Sequence, residues 1–212
     1  MNLPKKIPFT LLMLSLLVVA GIYGQTHIGL LDADVRDDVG FSTRLLFSGH
    51  LHRIFTSLFF TAGGWRFYSS LLMFAVGVGW VEYSRGTKQT AASFFAIHVL
   101  TVLLLSLFVT WPLTAIETRH GLTMFDARDV GPSAGYYGCL GFALAGLKRK
   151  PRNVIVAMIF IVLIGRLTWS SIHLPEDGRM LLADLAHLIA FPLGLSAEMY
   201  SRVFLSRDDL TD

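Results

Sequence analysis

Cysteine is almost absent from this chain, Cys139 being the only one among 212 residues. It lies within an apolar run, so no intrachain disulfide can form, no cysteine cluster can hold a metal, and the residue reads as a small packing group. No basic stripe with interleaved aromatics occurs either, which removes nucleic acid from the partners that a net charge of +3 would otherwise suggest. His27, His50, His120 and His173 have no metal-ligand spacing, and no metal or cofactor is implied. There is no second domain, internal repeat or low-complexity linker, so 1–212 reads as a single membrane domain with short tails at 1–6 and 201–212.

What the chain has is apolar surface, because 53% hydrophobic residues exceed what a soluble domain of this size needs for its core. Six apolar segments follow one another: Ile7 to Tyr23, about Leu58 to Val81, Ala91 to Trp111, Ser133 to Leu147, Val154 to Ser171, and Met180 to Tyr200. The fold class expected is all-α, a polytopic membrane protein with six transmembrane helices. The first segment follows Lys5 and Lys6 as a signal peptide would. Its length and the poor cleavage site Ile22-Tyr23-Gly24 mark a retained span instead.

Threading six spans puts Lys5, Lys6, Arg85, Lys88, Lys148, Arg149, Lys150, Arg152, Arg202 and Arg207 on one side, which is then the cytoplasm. The opposite loops carry Asp32, Asp34, Asp37, Asp38, Glu117, Asp126, Asp129, Glu176 and Asp177. Both termini are expected in the cytoplasm of a multi-pass cell-membrane protein. Trp65, Trp111 and Trp169 fall toward the outer interface and Trp80 toward the inner one. The long connection from Gln25 to about Phe55 contains an apolar stretch, Phe41 to Phe47, and is expected to lie partly in the interface.

Depth brings two residues together. The fourth segment has about 15 residues, roughly 22 Å of helix against about 30 Å of hydrocarbon, so it cannot span alone. With its basic end fixed at the cytoplasmic surface, Ser133 sits roughly 8 to 10 Å below the outer surface. The sixth segment starts near Arg179, which puts His187 about 12 Å deep, at the level of the serine. A serine hydroxyl is a weak nucleophile until a hydrogen-bonded base takes its proton, and neutral imidazole is the usual base. Gly131 and Gly135 bracket the serine as G-x-S-x-G, and the start of a helix directs N–H groups toward a developing oxyanion. Those glycines also suit plain helix packing, with the serine bonding a neighbouring backbone. An α/β hydrolase is excluded because a polar loop, Pro112 to Val130, stands where a strand is needed.

Gly131-Pro132-Ser133-Ala134-Gly135-Tyr136-Tyr137-Gly138-Cys139-Leu140-Gly141 and Ala186-His187-Leu188-Ile189-Ala190-Phe191-Pro192-Leu193-Gly194 together resemble the rhomboid intramembrane serine proteases. Gly79-Trp80-Val81-Glu82 with Gly86 is similar to the Gly-x-x-Glu-x-x-x-Gly that ends the family's second helix. Arg53 with Phe55-Thr56 resembles its Trp-Arg motif, with His52 in place of the tryptophan. The resemblance covers about 53–194. It implies a six-helix bundle, Ser133 as nucleophile, His187 as base, and Tyr137 packed on that histidine. It also implies a transmembrane protein substrate in the lipid bilayer, cleaved from the outer side.

The chain departs from the family where a histidine and an asparagine usually stabilise the oxyanion, for those positions hold Arg66 and Ser70. Both can donate hydrogen bonds. Arg66 is open to two roles, oxyanion donor or a side chain snorkelling to the outer interface. Pro132 has no N–H and removes one backbone donor. Arg166 and Asp184 should meet as an ion pair between the fifth and sixth segments, with orientation of His187 by Asp184 as the alternative. His98 is expected to bond a neighbouring helix. The function expected is intramembrane serine endopeptidase, and the alternative is an inactive rhomboid-like protein that binds or routes client helices.

Overall fold

The computed structural model describes residues 6–174 and 178–208, with side chains as far as Glu198. Lys5, Pro175, Glu176, Asp177 and the side chains of Arg202 and Arg207 therefore lie outside the described residues. Eleven α-helices follow in order: α1 (Pro8–Tyr23), α2 (Ala33–Val39), α3 (Thr43–Phe47), α4 (Arg53–Thr56), α5 (Trp65–Arg85), α6 (Thr87–Leu105), α7 (Trp111–Ala115), α8 (Arg119–Asp126), α9 (Ser133–Ala145), α10 (Arg149–Ile172) and α11 (Arg179–Asp208). The described residues contain no strand, only two isolated bridges.

Three helical stretches, Thr87–Ala115, Arg149–Ile172 and Arg179–Glu198, are long and apolar enough to cross a membrane, and Pro8–Tyr23 is a shorter apolar helix. On α10 the side chains of Val154, Met158, Ile161, Val162 and Ile164 are exposed, an apolar face that water would not tolerate. Several boundaries differ from the sequence expectation. The second segment begins at Trp65 instead of Leu58, because Gly63 and Gly64 both have positive φ and break the chain after a single 3-10 turn at Ser57–Phe59. The third runs without interruption from Thr87 to Ala115, its turns widening over Ser106–Thr110. At the other end α11 carries helix through the polar stretch after Tyr200 to Asp208.

Helix α9 has 13 residues, about 20 Å of rise, and stands inside the bundle against α5, α6 and above all α11. Its small residues make that position possible. A Cβ on Gly194 of α11 would collide with the Gly138 carbonyl of α9, and one on Gly141 would collide with the Phe191 carbonyl. The two backbones approach this closely only because both sides lack side chains. On the far side, Phe94 packs edge-on against Phe9 at 5.8 Å and Phe74 at 5.4 Å, locking α1, α5 and α6 together.

One buried carboxylate holds α1 in register. Glu82, on α5, accepts hydrogen bonds from the backbone N–H groups of Phe9 and Thr10 at 2.8 and 2.7 Å, and from the Thr10 and Thr87 hydroxyls at 2.7 Å each. Pro8 opens α1 where its missing N–H costs nothing, and no side chain of α1 caps it. Glu82 therefore supplies, from another helix, the anionic cap that the exposed N–H groups and the helix dipole favour.

Candidate active site

The loop before α9 is fixed by its backbone. Phe41 and Asp129 exchange two hydrogen bonds, at 3.0 and 2.8 Å, and the Gly131 N–H donates to the Ser57 carbonyl at 3.0 Å. Gly131 has φ +141, a conformation that side chains avoid, so this residue turns the chain into Ser133. Its N–H is already used by Ser57, and Gly131 supports the site as a turn and not as an oxyanion donor. No side chain caps α9, which leaves the first-turn N–H groups available to a ligand.

Ser133, His187, Tyr137, Ser70, Arg66, Gly131 and Asp184 all line one cavity of about 750 Å³. The His187 ring stacks on Tyr137, centroids 4.2 Å apart and planes at 27°. Tyr137 is one helical turn along from Ser133 on the same face of α9, so the stack ties the imidazole to the helix face that carries the serine. Both ring nitrogens of His187 are buried without a hydrogen-bond partner among the described residues. Ser133 and His187 are thus brought to one cavity but are not hydrogen-bonded to each other in this structure.

Asp184 faces Arg166, not the imidazole. Its Oδ1 accepts from Arg166 Nε at 2.9 Å and lies 2.7 Å from an Arg166 terminal nitrogen. With both His187 nitrogens unpartnered, orientation of His187 by Asp184 is not what this geometry provides. The Asp184 side chain is 2% exposed and that of Arg166 45% exposed, so removing either partner has unequal effects. Arg166→Met strands a buried carboxylate and is expected to cost about 3 kcal/mol, whereas Asp184→Leu leaves an arginine that can turn to the cavity mouth. The double replacement should be better tolerated than Arg166→Met alone, as unfolding in detergent would measure. A double variant less stable than both singles would contradict the pairing.

Arg66 and Ser70 separate in role. Arg66 is on the exposed first turn of α5, and an oxyanion donor needs a site shielded from water. Ser70, one turn deeper and half-buried, donates its hydroxyl to the Tyr136 phenol oxygen. His98 bonds the Ile54 carbonyl through Nε2 at 2.9 Å. Its Nδ1 has no partner, and the residue lines a chamber of about 30 Å³ with Ser57, Asp129 and Ser133.

Asp129 is the site residue that sequence reasoning passed over, taken there as one more acidic loop residue. It lines both the large cavity and the small chamber. Burial pushes its carboxyl up to about 6, against the opposing pull of the Val130 N–H, which it accepts at 3.0 Å, and of the Arg179 guanidinium. The available signal was its position four residues before Ser133, itself placed below the outer membrane surface. A carboxyl raised in the folded state favours folding below its unfolded value of 3.8, and that contribution is lost as pH rises through about 6. Asp129→Asn keeps the acceptor for Val130 and removes the titration. The variant's melting temperature relative to wild type should therefore rise between pH 4 and pH 7; a difference flat with pH would contradict the assignment.

Among the described residues no group of His, Cys, Asp and Glu side chains could hold a metal ion. No protein-family model matches the chain, and no curated protein matches it at a significant level.

Proposed function

We propose that the protein is a rhomboid-like intramembrane serine endopeptidase, with six membrane-crossing segments built on α1, α5, α6 continued through α7, α9, α10 and α11. The observation that carries this is the convergence of Ser133 and the Tyr137-stacked His187 on one cavity inside an apolar helical bundle. Ser133 Oγ attacks the carbonyl carbon of a peptide bond while His187 takes the hydroxyl proton. The same histidine then returns the proton to the leaving amine, and water hydrolyses the acyl-enzyme. The oxyanion is held by the Ser133 and Ala134 N–H groups, with the Ser70 hydroxyl turning from Tyr136 to join them. Substrates are transmembrane segments whose helix is locally unwound, since a helical backbone shields its carbonyls. The cavity opens to the outer side of the cell membrane and both termini face the cytoplasm. The exposed Trp65, Trp111 and Trp169 then sit at the outer interface.

An alternative favoured by the unengaged Ser133 and His187 is a non-cleaving protein that holds client helices in the same cavity. Reconstitution separates the two. Purified wild type in liposomes should cleave transmembrane segments with small central residues and Ser133→Ala should not. Equal cleavage by the two proteins would end the proposal.

A further inference from the structure

The cavity is strongly unbalanced in charge. Among the described residues Arg36, Arg66, Arg128, Arg166 and Arg179 line it, with Asp129 and Asp184 as the carboxylates. They come from α2, α5, α10, α11 and the loop before α9, so separate elements converge on one concavity. Arg166 is matched by Asp184 at 2.7 Å and Arg179 lies in the field of Asp129. Arg128 donates to the Ser42 hydroxyl at 3.2 Å and reaches only a loose 3.9 Å contact with Asp37, which lies outside the cavity. Arg66 has neither an ion pair nor a side-chain hydrogen bond among the described residues. Trp65, Met73, Met180 and Ala183 supply apolar wall between these charges. Low-dielectric walls lengthen the reach of a field, and a concave surface of one sign concentrates it.

Resting on the proteolytic reading of the site, we propose that this cavity selects a peptide segment bearing a carboxylate on the outer side of the bond to be cut, with Arg66 as its specificity-determining partner. The side follows from the proposed orientation. Arg66 is in the first turn of α5 and Arg179 begins α11, while His187 lies two turns further along α11. A substrate aspartate or glutamate within about one turn of the scissile bond meets the guanidinium in a bidentate contact. A substrate lysine at that place is repelled by the same field, so selection has both an attractive and a repulsive arm.

The test uses three transmembrane peptides identical except for Asp, Asn or Lys placed four residues to the outer side of a central Gly-Ala pair. Cleavage by the full-length protein is measured in phosphatidylcholine liposomes, and binding is measured with Ser133→Ala. The expected result is about tenfold or greater preference in kcat/KM for Asp over Asn, with Lys poorest, and the same order in binding. Arg66→Glu should reverse that order and favour Lys. Equal handling of the three peptides overturns the proposal, as does Arg66→Glu lowering all three alike. Cleavage that responds to added phosphatidylglycerol but not to peptide charge assigns the arginines to lipid headgroups and also overturns it. If nothing is cleaved but Ser133→Ala still binds Asp over Lys, proteolysis fails while charge selection stands.

Discussion

Ser133→Ala and His187→Ala, if the proteolytic proposal holds, are each expected to lower cleavage of a transmembrane substrate by at least ~10³-fold with the protein still folded, the double variant being no worse than either single one. Non-additivity follows because the two side chains serve one proton transfer: without its base the serine is a poor nucleophile, and without the serine the histidine has nothing to activate. Tyr137 adds a graded case. It stacks on His187 at 4.2 Å, so Tyr137→Phe keeps the stack and most activity, whereas Tyr137→Ala frees the ring and loses more turnover than substrate binding. Residual cleavage near wild-type level in either single variant would remove Ser133 and His187 from the mechanism.

The second large effect is on stability and lies far from the serine. Glu82 is 1% exposed and accepts four hydrogen bonds, three of them from the first turn of α1. Glu82→Ala leaves the Phe9 and Thr10 N–H groups unsatisfied in an apolar interior and is expected to cost about 3 to 5 kcal/mol. Glu82→Gln keeps the shape but turns an NH₂ group toward donors, so about 2 kcal/mol is expected. Because α1 is the element released, fraying of its N-terminal end should appear before global unfolding. Proteolytic nicking near α1 in mild detergent would detect it, and a cost below about 1 kcal/mol for Glu82→Ala would contradict the cap.

The parts of the fold set by apolar periodicity and length were legible in the sequence. All six segments fall on helices, and the short fourth one was read from its residue count alone. The Arg166–Asp184 pair was legible too, because equal distances from a hairpin centre place two residues at equal depth. What escaped was fixed by backbone conformation and by long-range contact. The start of α5 depends on two positive-φ glycines, whose conformation the apolar pattern does not record. Gly131 stands out in the sequence as a residue bracketing Ser133, but its supporting role as a turn depends on an N–H committed to Ser57, a partner 74 residues earlier in the chain. Asp129 owes its place in the cavity to pairing with Phe41. No local pattern encodes that contact, and the four arginines that join Arg66 around the cavity were scattered across loops and helices for the same reason.

The central claim is that Ser133 is an activated nucleophile, and the most direct measurement is covalent modification of the folded protein by a fluorophosphonate, with the modified residue mapped by mass spectrometry. The account predicts a single adduct on Ser133 in wild type, lost in His187→Ala although the serine is still present. Folded wild type that stays unlabelled while cleaving no transmembrane substrate, or an adduct on another serine such as Ser70, would contradict it.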